Sequence, residues 1–373
     1  MNKEYFFINF FRALAAFWVI LAHSMIWGGW YGLPVPNAKI AVDLFMMISG
    51  YLMMSKAFSR IKLESLCIPH NWLHFWIRRF FRIAPAYYVS LFVAIATSNW
   101  FLSGYQALQN MNTVLWEKLP NYNPANIEYT IENILLHITF LFGLYPTYSF
   151  STFLPDWSLS LEMQFYFIFP VLFLLMQKYG KIKMILSISL LSFSVGIGIA
   201  SHVSYYEPSL LFFKLQYFFA GILIYYILNN KHTFIKNLVL ILIGLFIVSL
   251  EIKYGKQLIV LPFLLLSMLS LGWLEQNNKL PTLFFKLLHS KVIEFMSETA
   301  YGIYLFHGFF ISAAGLIILN SPYLLSLSLF SHTLFIFLFI IFFAYPLAYV
   351  ILLYIEKPGI SLGKLIINYR KPK

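Results

Sequence analysis

A single cysteine, Cys67, in 373 residues excludes an intrachain disulfide. Charge is scarce as well: 11% of the residues are Asp, Glu, Lys or Arg, where a soluble domain carries about 25%. Acid is the scarcer sign, 14 residues against 26 Lys and Arg, which leaves a net charge of +12. No zinc-ligand spacing, glycine-rich phosphate loop or internal repeat stands out, so no metal site, P-loop or solenoid is expected. The basic excess does not point to nucleic acid. Its residues cluster in short connections between apolar runs, which is how topology is set in a membrane.

Hydrocarbon is what the chain has in quantity. It is 60% hydrophobic and 20% aromatic, more than the about 45–50% apolar content of a soluble domain. Runs of roughly 18 or more apolar residues, each long enough to cross a bilayer, recur along the whole length. The expected fold is all-α, a polytopic transmembrane helical bundle forming one domain over 1–373. The first run ends at Trp27-Gly28-Gly29-Trp30 without a small-x-small cleavage pattern, so it reads as a retained span rather than a signal peptide.

Ten spans are expected: Tyr5–Trp27, Ile40–Ser55, Phe80–Phe101, Trp157–Met176, Met184–Ser201, Leu210–Leu228, Leu238–Leu250, Leu258–Leu274, Val292–Leu319 and Leu324–Tyr354. With the amino terminus inside, every basic connection then falls on the cytoplasmic side: Arg60 to Arg79, Lys178 to Lys183, Lys231 to Lys236, Lys279 to Lys291, and the tail from Lys357. An eleventh crossing at Ile131–Ser149 would put the Lys178 cluster and every later basic loop outside, so that segment reads as external or re-entrant. Residues 103–156 become the large external element. Its Trp116, Tyr122, Tyr129, Tyr145 and Tyr148 suit either a sugar-facing surface or anchorage at the headgroups.

Few spans carry polar residues, and those that do mark function. Arg12 and His23 sit eleven positions apart in the first span, about 16 Å along a helix and on the same face. Asp43 and Glu162 enter their spans from outside and are placed at the level of His23. Arg78, Arg79 and Arg82 enter from inside and share the level of Arg12. A basic inner layer suits a phosphate-bearing ligand. An outer layer of imidazole and carboxylate suits proton transfer, with Asp43 or Glu162 orienting His23. Lys56, Lys214 and Lys236 lie close enough to span ends to snorkel.

Six stretches, in order, resemble the integral-membrane acyltransferase-3 family: "FRALAAFWVILAH", "VDLFMMISGYLM", "RRFFRIAPAYY", "DWSLSLEMQFYFIFPVL", "SETAYGIYLFH" and "IEKPGI". The resemblance covers about residues 7–363. Met163 stands where the family commonly has a second Glu. Without a hydrolase-like domain after the last span, the chain reads as the standalone form. The resemblance implies an O-acyltransferase of the bacterial inner membrane, both termini cytoplasmic, that uses acyl-CoA (usually acetyl-CoA) as donor substrate and binds no cofactor. The acceptor would be a sugar hydroxyl of a surface glycan or its lipid-linked precursor: O-antigen, capsule or exopolysaccharide. Carried over by position, the catalytic candidates are His23, Arg12, Glu162 and Asp43, with His23 as general base or transient acyl carrier. Arg78, Arg79 and Arg82 would hold the acyl-CoA phosphates. His307, Tyr301, Trp157 and Ser160 are further candidates to line the site. The rival reading is a transporter or flippase for a glycan intermediate, since buried His, Asp and Arg also build proton-coupled pathways.

Overall fold

The computed structural model describes residues 6–35, 37–112, 127–250 and 259–369. Those residues form helices and no strands. The chain runs through α1 (Phe6–Gly28), α2 (Ala38–Ser59), α3 (Trp72–Ala96), α4 (Ser98–Met111) and the short α5 (Ile131–Ile138). It continues with α6 (Trp157–Tyr179), α7 (Lys181–His202), α8 (Leu215–Leu228), α9 (Phe234–Val248) and α10 (Val260–Gln276). Last come α11 (Thr282–Leu288), α12 (Lys291–Leu319), α13 (Leu329–Ile351), a π turn (Leu352–Glu356) and α14 (Lys357–Tyr369). Among the described residues seven helical stretches are long and apolar enough to cross a membrane, and α8, α9 and α10 are shorter apolar helices. Together they account for the ten expected spans of a multi-pass membrane protein.

Local chemistry sets several of the helix starts. Asn37, Thr233, Ser290 and Ser328 each accept a hydrogen bond from a backbone N–H of the first turn of α2, α9, α12 and α13, relieving donors that a helix start leaves unpaired. The start of α1 is held from elsewhere. The Glu275 carboxylate accepts from the amides of Phe6 and Phe7 at 3.1 and 2.8 Å.

The bundle centres on α1, α2, α8 and α12. Helix α8 is apolar all round and buried without a break from Leu215 to Ile224, as a helix with no polar face must be. It meets α2 backbone to backbone. A Cβ at Gly221 would lie 1.8 Å from the carbonyl oxygen of Met47, and one at Gly50 would lie 1.9 Å from that of Phe218. Small residues of this kind are what let membrane helices pack closely when lipid offers no hydrophobic contrast.

The expected basic connections gather at one end. The Lys181 ammonium lies 5.0 Å from the rings of both Phe58, at the end of α2, and Tyr226, at the end of α8. The expected boundaries need three corrections. The third span starts at Trp72 and ends at Ala96, and residues 98–111 form α4. Helix α4 is part of the bundle rather than the external element: Ser312 of α12 donates to the carbonyl of Phe101 at 3.1 Å. The last span starts at Leu329 and continues, through the π turn, to Tyr369.

The segment at 131–149 does not form a crossing helix. Its α5 has eight residues, about 12 Å of rise, against a hydrocarbon core of about 30 Å. Two 3₁₀ turns follow, at Phe142–Leu144 and Pro146–Tyr148. Trp116 and Tyr122 lie outside the described residues.

Candidate active site: two cavities in line

His23 projects from α1 and His307 from α12, and their Nδ1 and Nε2 atoms are 2.9 Å apart. Both line a cavity of about 250 Å³ that Trp157, Tyr105, Lys39 and Glu207 also border. Lys39 and Glu207 face each other across 2.8 Å as an ion pair. Glu207 lies in the connection between α7 and α8, and burial lifts its carboxyl above the ordinary value while Lys39 pulls against that.

A second cavity, of about 280 Å³, holds Arg12, Arg79, Arg82, Glu162, Tyr301 and Glu356. Arg12 Nη1 donates to Ser297 Oγ at 3.3 Å, and Ser297 in turn donates to Asn9 at 3.2 Å. Ser49 and Tyr166 donate to the two oxygens of Glu162 at 2.9 and 3.1 Å. The Arg79 guanidinium lies over the rings of Phe75 and Tyr166, 5.6 and 5.7 Å from their centroids, a placement that favours a cation out of water. Its Nε has no hydrogen-bond partner, and neither has Oε1 of the buried Glu356. This cavity therefore holds unspent polar capacity of both signs.

Arg79 and Arg82 also border a third, larger hollow of about 450 Å³, with Lys56, Arg60, Arg78 and Lys364. Glu64 is its one acid among six basic residues. It binds Arg78 at 2.6 Å and Arg60 at 3.3 Å. Burial alone would raise the Glu64 carboxyl, but the guanidinium of Arg78 and, behind it, Arg60 hold it below the ordinary value. We call this hollow the vestibule. It lies at the end of α2 and the start of α3, on the side of the basic connections.

Tyr304 borders both the arginine cavity and the histidine cavity. Its phenol donates to the Pro155 carbonyl and accepts from Ser158 Oγ at 2.8 Å. The order is thus vestibule, arginine cavity, Tyr304, histidine cavity. Arg12 and His23, on one face of α1, belong to successive cavities.

Four expectations about the site change. Glu162 lies among the arginines, not beside His23. The chain before it dips into the protein, with Leu154, Asp156 and Trp157 all buried, so α6 begins below the level at which an exposed loop would place it. Asp43 does not orient His23 either. It is fully buried and pairs with Lys214 at 3.1 Å, so Lys214 does not snorkel. Ser160 is buried and donates to the Phe140 carbonyl at 2.8 Å, fixing the segment after α5 instead of lining a cavity. Arg78 reaches only the vestibule and is already held by Glu64. Tyr301 and Trp157 line the inner and outer cavities respectively. The outer cavity takes Phe150, Phe153 and Pro155 from the external segment in place of Tyr129, Tyr145 and Tyr148.

Sequence reasoning gave no role to Tyr304, Glu356, Lys39, Glu207, Ser49 or Ser158. Two of them had a signal. Tyr304 stands three residues before His307 in "YGIYLFH", and Glu356 opens "EKPG". Pro358 offers no N–H to the turn before it, and there the helix widens into the π turn that ends in Glu356.

Comparison with known proteins bears on what these cavities serve. The family model described as an acyltransferase domain, acyltransferase 3, matches residues 5–353. The chain belongs to this family. Similar acyltransferase-3 relatives include the peptidoglycan O-acetyltransferase OatA of Listeria monocytogenes, 29% identical over 201 residues, 52% of this chain and 28% of that protein. A protein of Komagataeibacter xylinus named as a membrane-bound transacylase, BcsY, is 30% identical over 182 residues, 48% of this chain and 40% of that one. The regulator of hypoxia-inducible factor 1 of Caenorhabditis elegans is 25% identical over 204 residues, 49% of this chain and 36% of the worm protein. The matched regions are thus well under half of each of these relatives. No solved structure matches.

Proposed function

We propose that this protein transfers an acyl group, an acetyl group in the simplest case, from cytoplasmic acyl-CoA to a sugar hydroxyl of a bacterial surface glycan or its lipid-linked precursor. The observation that carries the reading is the linear order of basic vestibule, arginine cavity, Tyr304 and histidine cavity. Membership of the acyltransferase-3 family and the similarity to the peptidoglycan O-acetyltransferase OatA support it. The vestibule, with four basic side chains besides the Arg78 and Arg60 held by Glu64, suits the phosphates of CoA, since guanidinium and ammonium groups bind phosphate strongly. Arg79 and Arg82 stand at the threshold. The acyl thioester passes them into the inner cavity beside Arg12 and reaches Tyr304.

On the far side His23 takes the proton of the acceptor hydroxyl. The hydroxyl oxygen bonds to the acyl carbon, the carbon–sulfur bond breaks, and the thiolate recovers a proton from His23. In this reading the vestibule faces the cytoplasm of a bacterial inner membrane, with both termini on that side, as the basic connections require.

The test is transfer of label from radioactive acetyl-CoA to an acceptor glycan by the purified protein in nanodiscs. Label should appear on the glycan with wild type and be lost in His23→Ala at equal protein level. Uptake of glycan into vesicles without transfer would favour a transporter and overturn the proposal, as would full transfer by His23→Ala.

A further inference from the structure

Resting on the function just proposed, we infer that His307 is a positioning residue that fixes His23 in its Nδ1–H tautomer, leaving Nε2 as the nitrogen that works on the acceptor. The argument is an accounting of protons along one row of atoms. His307 Nδ1 lies 2.9 Å from the carbonyl oxygen of Tyr304 and 3.1 Å from that of Ile303, both one turn back on its own helix. A carbonyl oxygen only accepts, so Nδ1 of His307 carries the hydrogen. His307 is buried, 1% exposed, and its Nδ1 is taken up by these two carbonyls. In the neutral ring a proton on Nδ1 leaves Nε2 with its lone pair.

That lone pair faces His23 Nδ1 at 2.9 Å. Two lone pairs would repel at this distance, so His23 Nδ1 must be the donor. The two ring planes lie within 7° of each other with centroids 5.0 Å apart, a geometry compatible with an in-plane N–H···N bond. The hydrogen on Nδ1 then leaves His23 Nε2 as the free lone pair, and His23 is half-buried at the wall of the outer cavity. When Nε2 takes the hydroxyl proton, the imidazolium that forms still donates through Nδ1 to a neutral acceptor. His307 thus does for His23 what a carboxylate does for the histidine of a catalytic triad, without a buried negative charge. The carbonyls of one helical turn set the tautomer of a ring on another helix.

The tautomer is read without turnover. Histidine-labelled ¹⁵N protein in nanodiscs, with each ring identified by the signal missing from the matching His→Gln variant, should show Nδ1–H and a bare Nε2 for both His23 and His307. A proton on Nε2 of His23 overturns the inference even if acyl transfer is intact, whereas loss of acyl transfer with these tautomers in place overturns only the proposed reaction. Kinetics give a second reading. His307→Gln places an amide oxygen where Nε2 was and should keep kcat within about fivefold, while His307→Leu should lower kcat on the order of 10²-fold with KM for acetyl-CoA unchanged. Equal kcat in the Gln and Leu variants would also overturn it.

Discussion

Replacing Asp43 by Leu deprives Lys214 of the carboxylate 3.1 Å from its ammonium, at a place where the two side chains are 0% and 1% exposed. An ammonium so deeply placed cannot turn to water, and breaking a buried pair from one side costs about 3–5 kcal/mol. Asp43→Asn keeps a polar neighbour and belongs at the lower end of that range, and Asp43→Leu at the upper. The pair joins α2 to the start of α8, two turns from the backbone contacts of Gly50 with Phe218 and of Gly221 with Met47, so the loss falls on the bundle as a whole. Thermal unfolding of the purified protein in detergent should show midpoints lowered by on the order of 5–10 °C in the single variants. Replacing both partners, Asp43→Leu with Lys214→Met, removes the charges together and should return the midpoint to within about 2 °C of wild type, because an apolar pair of similar volume replaces a buried ion pair at little or no cost. The double-mutant cycle then gives a coupling close to the two single losses together, about 6 kcal/mol or more. Acyl transfer per folded molecule should stay within about twofold of wild type in the double variant. A single Asp43 variant that unfolds like wild type but transfers nothing would refute the reasoning and return Asp43 to the chemistry.

Other expectations follow from contacts already described. Gly221→Ala should abolish accumulation of folded protein, since its Cβ would lie 1.8 Å from a backbone oxygen, whereas Gly198→Ala, with nothing within 4 Å, should be neutral or slightly stabilising by thermal unfolding. Tyr304→Ala should raise acetyl-CoA hydrolysis relative to transfer several-fold, measured as free CoA released without acceptor, because the side chain between the two cavities is gone; a hydrolysis ratio equal to wild type would contradict its role as a partition. The Glu64 carboxyl is held below its ordinary value, so its contribution to stability is present above about pH 4.3 and is lost as pH falls through the lowered folded value. Glu64→Gln should therefore lower the unfolding midpoint by a constant amount between pH 6 and 8 and weaken the wild type's acid sensitivity below about pH 4.3, in the same assay.

The fold was legible where the signal lies along the chain. Apolar runs and basic connections placed ten helices, and the charge of the later loops counted 131–149 out as a crossing, as its eight-residue α5 bears out. Depth along one helix was legible too: Arg12 and His23 do share a face and do fall in successive cavities. What the sequence could not carry was the vertical offset between helices. Glu162 seemed level with His23 because α6 was taken to begin at the surface, but buried Leu154, Asp156 and Trp157 start it lower. Partnerships across long separations were equally hidden. Asp43 and Lys214 are 171 residues apart and His23 and His307 are 284 apart. Lys214 read as a snorkelling residue near a span end, and His307 as a site-lining candidate with no partner assigned.

The π turn at Leu352–Glu356 has a consequence for how the arginine cavity and the vestibule are linked. Such a turn is one extra residue held within a helix, and erasing it would swing everything beyond by about 100°. Glu356, on the near side, walls the inner cavity, while Ile360 and Lys364, one and two turns further on, wall the vestibule. Gly359 and Gly363 hold that further stretch against Pro85 and Phe81 of α3. The helix is therefore a crankshaft, with one throw in each compartment and its bearing on the same helix that carries Arg79 and Arg82. A rotation of this helix that moves Glu356 also turns Lys364, so the walls of the two cavities are mechanically linked.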